Sequence, residues 1–214
     1  MENSTATGFR PYQNEGLNQL YELLFCDNET AYQTGAANAD TFPWSVLFAS
    51  VPDTDALLLL ANDTSLESRV RGLAATKLHL LGGPAPKPEL LGVVIEIGLE
   101  QGLDVLAVFG DGTARYINQA ESAIVFDAPN ETTNNLVSNL WHHSIQVVNR
   151  IGPWDKPRLA PPGKDTVRLT FLVSGQLFFG QGPMNVFFSD PMAGPVLDAA
   201  TKVMVYLTQN AGKH

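Results

Sequence analysis

Between Asn14 and Cys26 the apolar residues Leu17, Leu20, Tyr21 and Leu24 recur at the three- and four-residue spacing of one helix face. The spacing predicts an amphipathic helix capped by Asn14 and ending near Cys26. A loop rich in Ala, Asn, Gly and Thr is expected from there to Asp40, followed by an apolar cluster, Phe42 to Phe48, that plugs the core. Asp53 stands ahead of a short helix through Leu57 to Leu60, and Thr64 with Glu67 has the spacing of a capping box for a longer one. The stripe of that longer helix is Leu66, Val70, Leu73, Ala74 and Leu81, and Gly82, Gly83 and Pro84 stop it. Residues 84–89, PAPKPE, read as a stiff extended connector.

After the connector the period changes from 3.6 to 2. Val93, Ile95, Ile97 and Leu99 form one alternating run, and Leu103, Val105, Ala107 and Phe109 a second. Gly110, Asp111 and Gly112 join the second run to a return strand from Thr113 to Asn118, because an Asp-Gly pair supplies the positive φ values of a tight turn. Ser122 to Asp127 makes a fourth strand. Asn130 then caps a helix to about Ile151, and a loop with four prolines runs from Gly152 to Asp165. A second hairpin, Val167 to Val173 with Gln176 to Phe179, turns at Ser174 and Gly175, and a last helix runs from about Pro195 to Gln209. Connections this short exclude parallel crossovers. The expected fold is α+β: a mostly antiparallel sheet of about six strands packed by helices, preceded by an N-terminal helical segment. Residues 1–214 are expected to form a single globular domain, with the helical segment over about 12–83 and the sheet-and-helix segment over about 90–209.

The segments ELLGVVIEIGLEQGLDVLAVFGDGTARYIN, IGPWDKPR and FFGQGPMNVFFSDPMAGPVL, in this order, resemble a family of uncharacterised bacterial proteins of similar length. The resemblance covers most of the chain from Leu17 to Leu207 and implies bacterial origin and one compact unit. It carries no activity and no catalytic residue.

Charge narrows the partners. The formal net charge is −9 and the isoelectric point about 4.8, which opposes nucleic acid and anionic membrane as ligands, since both require a dense basic footprint. The first 110 residues hold 14 acids and 5 bases, the remainder 8 of each, so the whole excess lies in the first half. Spread over Glu15, Glu22, Asp27, Glu29, Asp40, Asp53, Asp55, Asp63 and Glu67, it reads either as a solubilising surface or as a docking face for a basic protein. Cys26 is the only cysteine, so no intrachain disulfide and no cysteine-based zinc site can form. The N-terminal stretch MENSTATGFRPYQNEG lacks the basic start and apolar core of a signal peptide, and no apolar run approaches a membrane span, so a cytoplasmic protein is expected.

Little in the chain resembles catalytic machinery. Adjacent His142 and His143 point about 100° apart on a helix and cannot chelate one ion, with His142 toward solvent and His143 on the flank. Gly180, Gln181, Gly182 and Pro183 occupy the place of a phosphate loop but lack its third glycine and its Gly-Lys-Ser/Thr, and Pro183 removes a donor. No cofactor or metal is implied. Two groups of residues are candidates for binding. If Val93, Leu103, Val105, Leu169 and Phe171 face the helices, the opposite sheet face presents Glu96, Asp104 and Arg168 among apolar neighbours, either covered by the N-terminal helices and the proline loop or open to a partner or a second copy. In the proline loop, Trp154 with Asp155 and Arg158 either folds back over the core edge or forms a rigid recognition element. The leading expectation is a protein acting by protein contacts, as an adaptor, regulator or toxin-neutralising partner. The alternative is a small hydrolase or transferase using carboxylates such as Glu96 and Asp104 in a pocket over the sheet.

Overall fold

The period-2 segments form one antiparallel sheet. The structure, a computed structural model, describes residues 8–35 and 40–211. Its strands are β1 (Leu90–Gly98), β2 (Leu103–Phe109), β3 (Ala114–Ile117), β4 (Ala123–Phe126), β5 (Thr166–Val173) and β6 (Gln176–Pro183), in the order β4-β3-β2-β1-β5-β6. The helices among the described residues are α1 (Glu15–Leu23), α2 (Glu29–Gly35), α3 (Trp44–Leu47), α4 (Thr54–Asn62), α5 (Ser68–Leu80), α6 (Glu131–Val148), α7 (Met184–Ser189) and α8 (Ala193–Asn210). The α+β class, the antiparallel six-stranded sheet and the preceding helical segment are those expected. None of the described helices is long and apolar enough to cross a membrane. Residues 1–7 of the N-terminal stretch and residues 36–39 of the Ala- and Gly-rich loop lie outside the described residues.

Helices cover the sheet on both faces. On one, Val93 and Ile95 of β1, Leu106 and Val108 of β2 and Leu169 and Phe171 of β5 pack against α6 and α8 through Leu140, Val147, Val196, Val203 and Leu207. On the other, Val94, Leu103, Val105, Ala107, Phe109 and Leu172 meet Tyr21, Leu24 and Phe25, so the α1 stripe is the lid of this face. A third apolar cluster joins α2 to α5, with Leu47 fully buried while Phe42 stays exposed. The central part of the outer sheet face is therefore covered from within the chain.

Several expectations are corrected. Val93 pairs with Val108 and Glu96 with Val105, which puts Leu103 and Val105 on the Glu96 face, opposite Val93. A one-residue difference in register exchanges every side chain between faces. Glu29–Gly35 is helix rather than loop. The Thr64–Glu67 capping box does not form, and α5 begins only at Ser68, with Leu78 in the core in place of Leu81. The GQGP stretch continues β6 instead of forming a loop, and α7 follows it.

The cap for α5 comes from the β2–β3 turn, 43 residues away. The Ser68 amide donates to Asp111 Oδ2 at 2.7 Å, while the Asp111 amide donates to Ser68 Oγ at 3.0 Å. The other oxygen, Oδ1, accepts from the Thr113 amide at 3.0 Å and hydroxyl at 2.7 Å. Asp111 thus braces the turn with its carboxylate, and only Gly112, at φ +85°, takes the left-handed conformation. Asp111→Ala removes a helix cap and a turn brace together and should lower stability by about 1–2 kcal/mol, read as a fall in the urea midpoint. An unchanged midpoint would mean that the clasp contributes nothing.

Candidate functional site

On the α1 face the sheet buries an ionic network. Glu96, fully buried on β1, accepts from the Tyr21 hydroxyl at 2.7 Å and from Arg168 Nη1 at 3.4 Å. Arg168, on the adjacent β5, also donates to Gln181 Oε1 at 2.8 Å and to the carbonyls of Leu159 at 3.1 Å and Ala160 at 2.5 Å. Burial raises the Glu96 carboxyl above its ordinary value despite the attraction of Arg168, and burial beside Glu96 raises the Tyr21 hydroxyl. Asp104 lies on the opposite face, where it accepts from the Tyr116 hydroxyl at 2.7 Å and the Gln119 amide at 2.7 Å. Glu96 and Asp104 do not converge on one pocket. The Glu96–Arg168 pair is sealed from solvent and ties β1 to β5 and the proline loop.

Arg168 fixes the far half of the proline loop. That loop crosses the end of β1 so closely that a Cβ on Gly98 would overlap the Gly163 carbonyl. Its near half is fixed by Arg158, whose Nε donates to Asp27 Oδ2 at 2.6 Å and whose Nη2 donates to Glu22 Oε2 at 2.7 Å. The guanidinium lies 4.1 Å from the centroid of the Phe25 ring, with Phe9 and Tyr21 at 5.5 and 5.9 Å. Burial alone would lower the Arg158 pKa, but Asp27 and Glu22 together outweigh it and hold the group firmly cationic. Burial raises the Asp27 carboxyl. Two carboxylates thus serve one guanidinium, and Asp27 Oδ1 is buried without a hydrogen-bond partner.

This cluster forms the floor of a cleft of about 580 Å³, the size of a site for a small ligand or a few side chains. Its walls are the end of α1 with Glu22, the α1–α2 connection with Asp27 and Asn28, the start of α2 with Glu29, the end of α5 with Thr76 and His79, the β5–β6 turn, and the loop from Trp154 to Arg158. Trp154 is held at three points: its amide donates to the Leu177 carbonyl at 2.7 Å, its indole to the Pro157 carbonyl at 3.0 Å, and its ring meets Phe179 edge-on at 4.8 Å. Four carboxylates (Glu22, Asp27, Glu29, Asp155) and two cations (Lys156, Arg158) line it; Glu22 and Asp27 are paired with Arg158 and Glu29 with Lys77, which leaves Asp155 as the lining carboxylate without an ion pair among the described residues. Of the expected site residues, Trp154, Asp155 and Arg158 come together here, and Glu96, Asp104 and Arg168 do not line it.

Part of the acidic first half is engaged within the chain, while Asp40 and Asp55 stay exposed. Glu22 is buried against Arg158, Glu15 pairs with Arg10, Glu29 with Lys77 and Glu67 with Arg69, while Asp53 caps α4. Compared with known protein families, curated proteins and solved structures, the chain has no match in any of the three. Roles are therefore assigned from its own geometry. His142 is exposed and within 3.1 Å of Gln146, and among the described residues no group of three His, Cys, Asp or Glu is placed to hold a metal ion.

Separating Glu96 from Arg168 leaves one uncompensated charge inside the sheet. Glu96→Leu or Arg168→Met alone should each cost about 3–5 kcal/mol, and the double variant far less than their sum. Additive losses in a denaturation cycle would contradict the pairing. Cys26 is buried beside the Tyr32 hydroxyl, 3.5 Å away, and burial pushes its thiol up to about 12. It should react with a thiol-specific disulfide reagent at neutral pH only as fast as the fold opens, and Cys26→Ala should change stability by no more than about 2 kcal/mol. Rapid stoichiometric labelling of the native protein would overturn this assignment.

Proposed function

We propose that the protein is a binding module of the bacterial cytoplasm, acting as an adaptor, regulator or toxin-neutralising partner, and that it takes a basic segment of a partner protein in the cleft. One observation carries the reading: a cleft of about 580 Å³ lined by an immobilised tryptophan and by four carboxylates, of which Asp155 is exposed and outside any ion pair among the described residues. Immobilised aromatics anchor protein interfaces at small entropic cost, because little rotamer freedom is left to lose on binding. The surrounding negative charge steers and orients a cationic partner. The lone, buried Cys26 suits a reducing compartment. A carboxylate enzyme finds less support, since Glu96 is sealed and, of the acids lining the cleft, Glu22 and Asp27 are both engaged by Arg158.

The test is fluorescence anisotropy with labelled decapeptides of alternating lysine and serine, or of alternating glutamate and serine, at low and high salt. The basic peptide should bind, weaken as salt screens the cleft, and lose most of its affinity on Asp155→Lys, an exposed position whose reversal leaves the fold intact. Equal binding of both peptides, or indifference to Asp155→Lys, would overturn the reading.

A further inference from the structure

The cleft already contains a cation on an aromatic face, and the chain itself supplies it. Lys156 is exposed, and its Nζ lies 5.5 Å from the centroid of the Trp154 ring. Among the described residues it forms no ion pair, although Asp155 is its neighbour and the cleft is rich in carboxylates. Two residues further on, Arg158 lies over Phe25, so both cations of this short segment rest on rings. They differ in how firmly they are held. Arg158 is anchored by two carboxylates and nearly buried, whereas Lys156 is exposed, lies against one indole and has no ion pair among the described residues.

We infer that the Trp154 face is a subsite for an alkylammonium or guanidinium group, a lysine or arginine side chain of the partner, and that Lys156 is its internal occupant, displaced on binding. This rests on the cleft being a site for basic segments. The ring is immobilised by Leu177, Pro157 and Phe179, so the face stays in place when its occupant leaves. An exposed cation–π contact is weak enough to give way, yet the tether keeps Lys156 at a high local concentration, so it competes with every incoming cation. Self-occupancy sets a threshold: a partner must offer more than one isolated positive charge.

The experiment measures affinity for the lysine–serine decapeptide in the native protein, Lys156→Ala, Trp154→Leu and the double variant, with circular dichroism confirming that each is folded. Lys156→Ala should bind about two- to fivefold more tightly, the factor expected for freeing one exposed cation–π face, and this gain should vanish in the Trp154→Leu background. A gain that survives in that background would show that Lys156 acts only through its charge and would overturn the subsite. Unchanged or weaker binding by Lys156→Ala would overturn the subsite too while leaving the cleft a site for basic segments. No binding of the peptide to any of the four proteins would overturn both.

Discussion

Central strands covered on both faces leave Glu96 and Arg168 no water, and this constraint organises the molecule. Glu96 is fully buried in the central strand, so its charge has to be met from within by the Tyr21 hydroxyl and the Arg168 guanidinium. Arg168 brings its own demand for acceptors, met by Gln181 and by two carbonyls of the proline loop. Those bonds draw the loop across the sheet, and from there Arg158 reaches the end of α1. One buried carboxylate therefore propagates, through two arginines, into the position of the cleft.

Local features of the fold were legible because their causes are local. Asn14, Asp53 and Asn130 each accept backbone amides of the helix they precede, and the hairpin at Asp111 closes within five residues. The face assignment was not. In β1 and β2 apolar residues run almost without interruption, so alternation does not say which of two neighbouring side chains points toward α6 and α8. Only the pairing of Gly98 with Leu103 across the intervening turn settles it. The start of α5 was illegible for a different reason: its capping group, Asp111, is supplied from another element.

The binding residues divide in the same way. Trp154, Asp155 and Arg158 stood out because four prolines restrict the loop that carries them. Glu22 and Asp27, which give Arg158 its place, gave no signal, since 136 and 131 residues separate them from it. On sequence alone both belonged to a diffuse acidic half. In the fold they serve as internal counter-ions, and the net charge of the cleft is what remains after Arg158 has taken its share.

That the α1 stripe is the lid of the sheet also has a consequence in time. Tyr21, Leu24 and Phe25 are synthesised well before β1, β2 and β5, the strands that cover them. Between the appearance of Tyr21 and that of Val94, its first partner in the sheet, a ribosome adding about 5–20 residues per second leaves an interval of about 4–15 seconds. During it this apolar face lacks its partners in the sheet. The third cluster, built from α2 to α5 alone, is the one core that this early segment can assemble unaided. A chain arranged in this order is closed last by the end that emerged first.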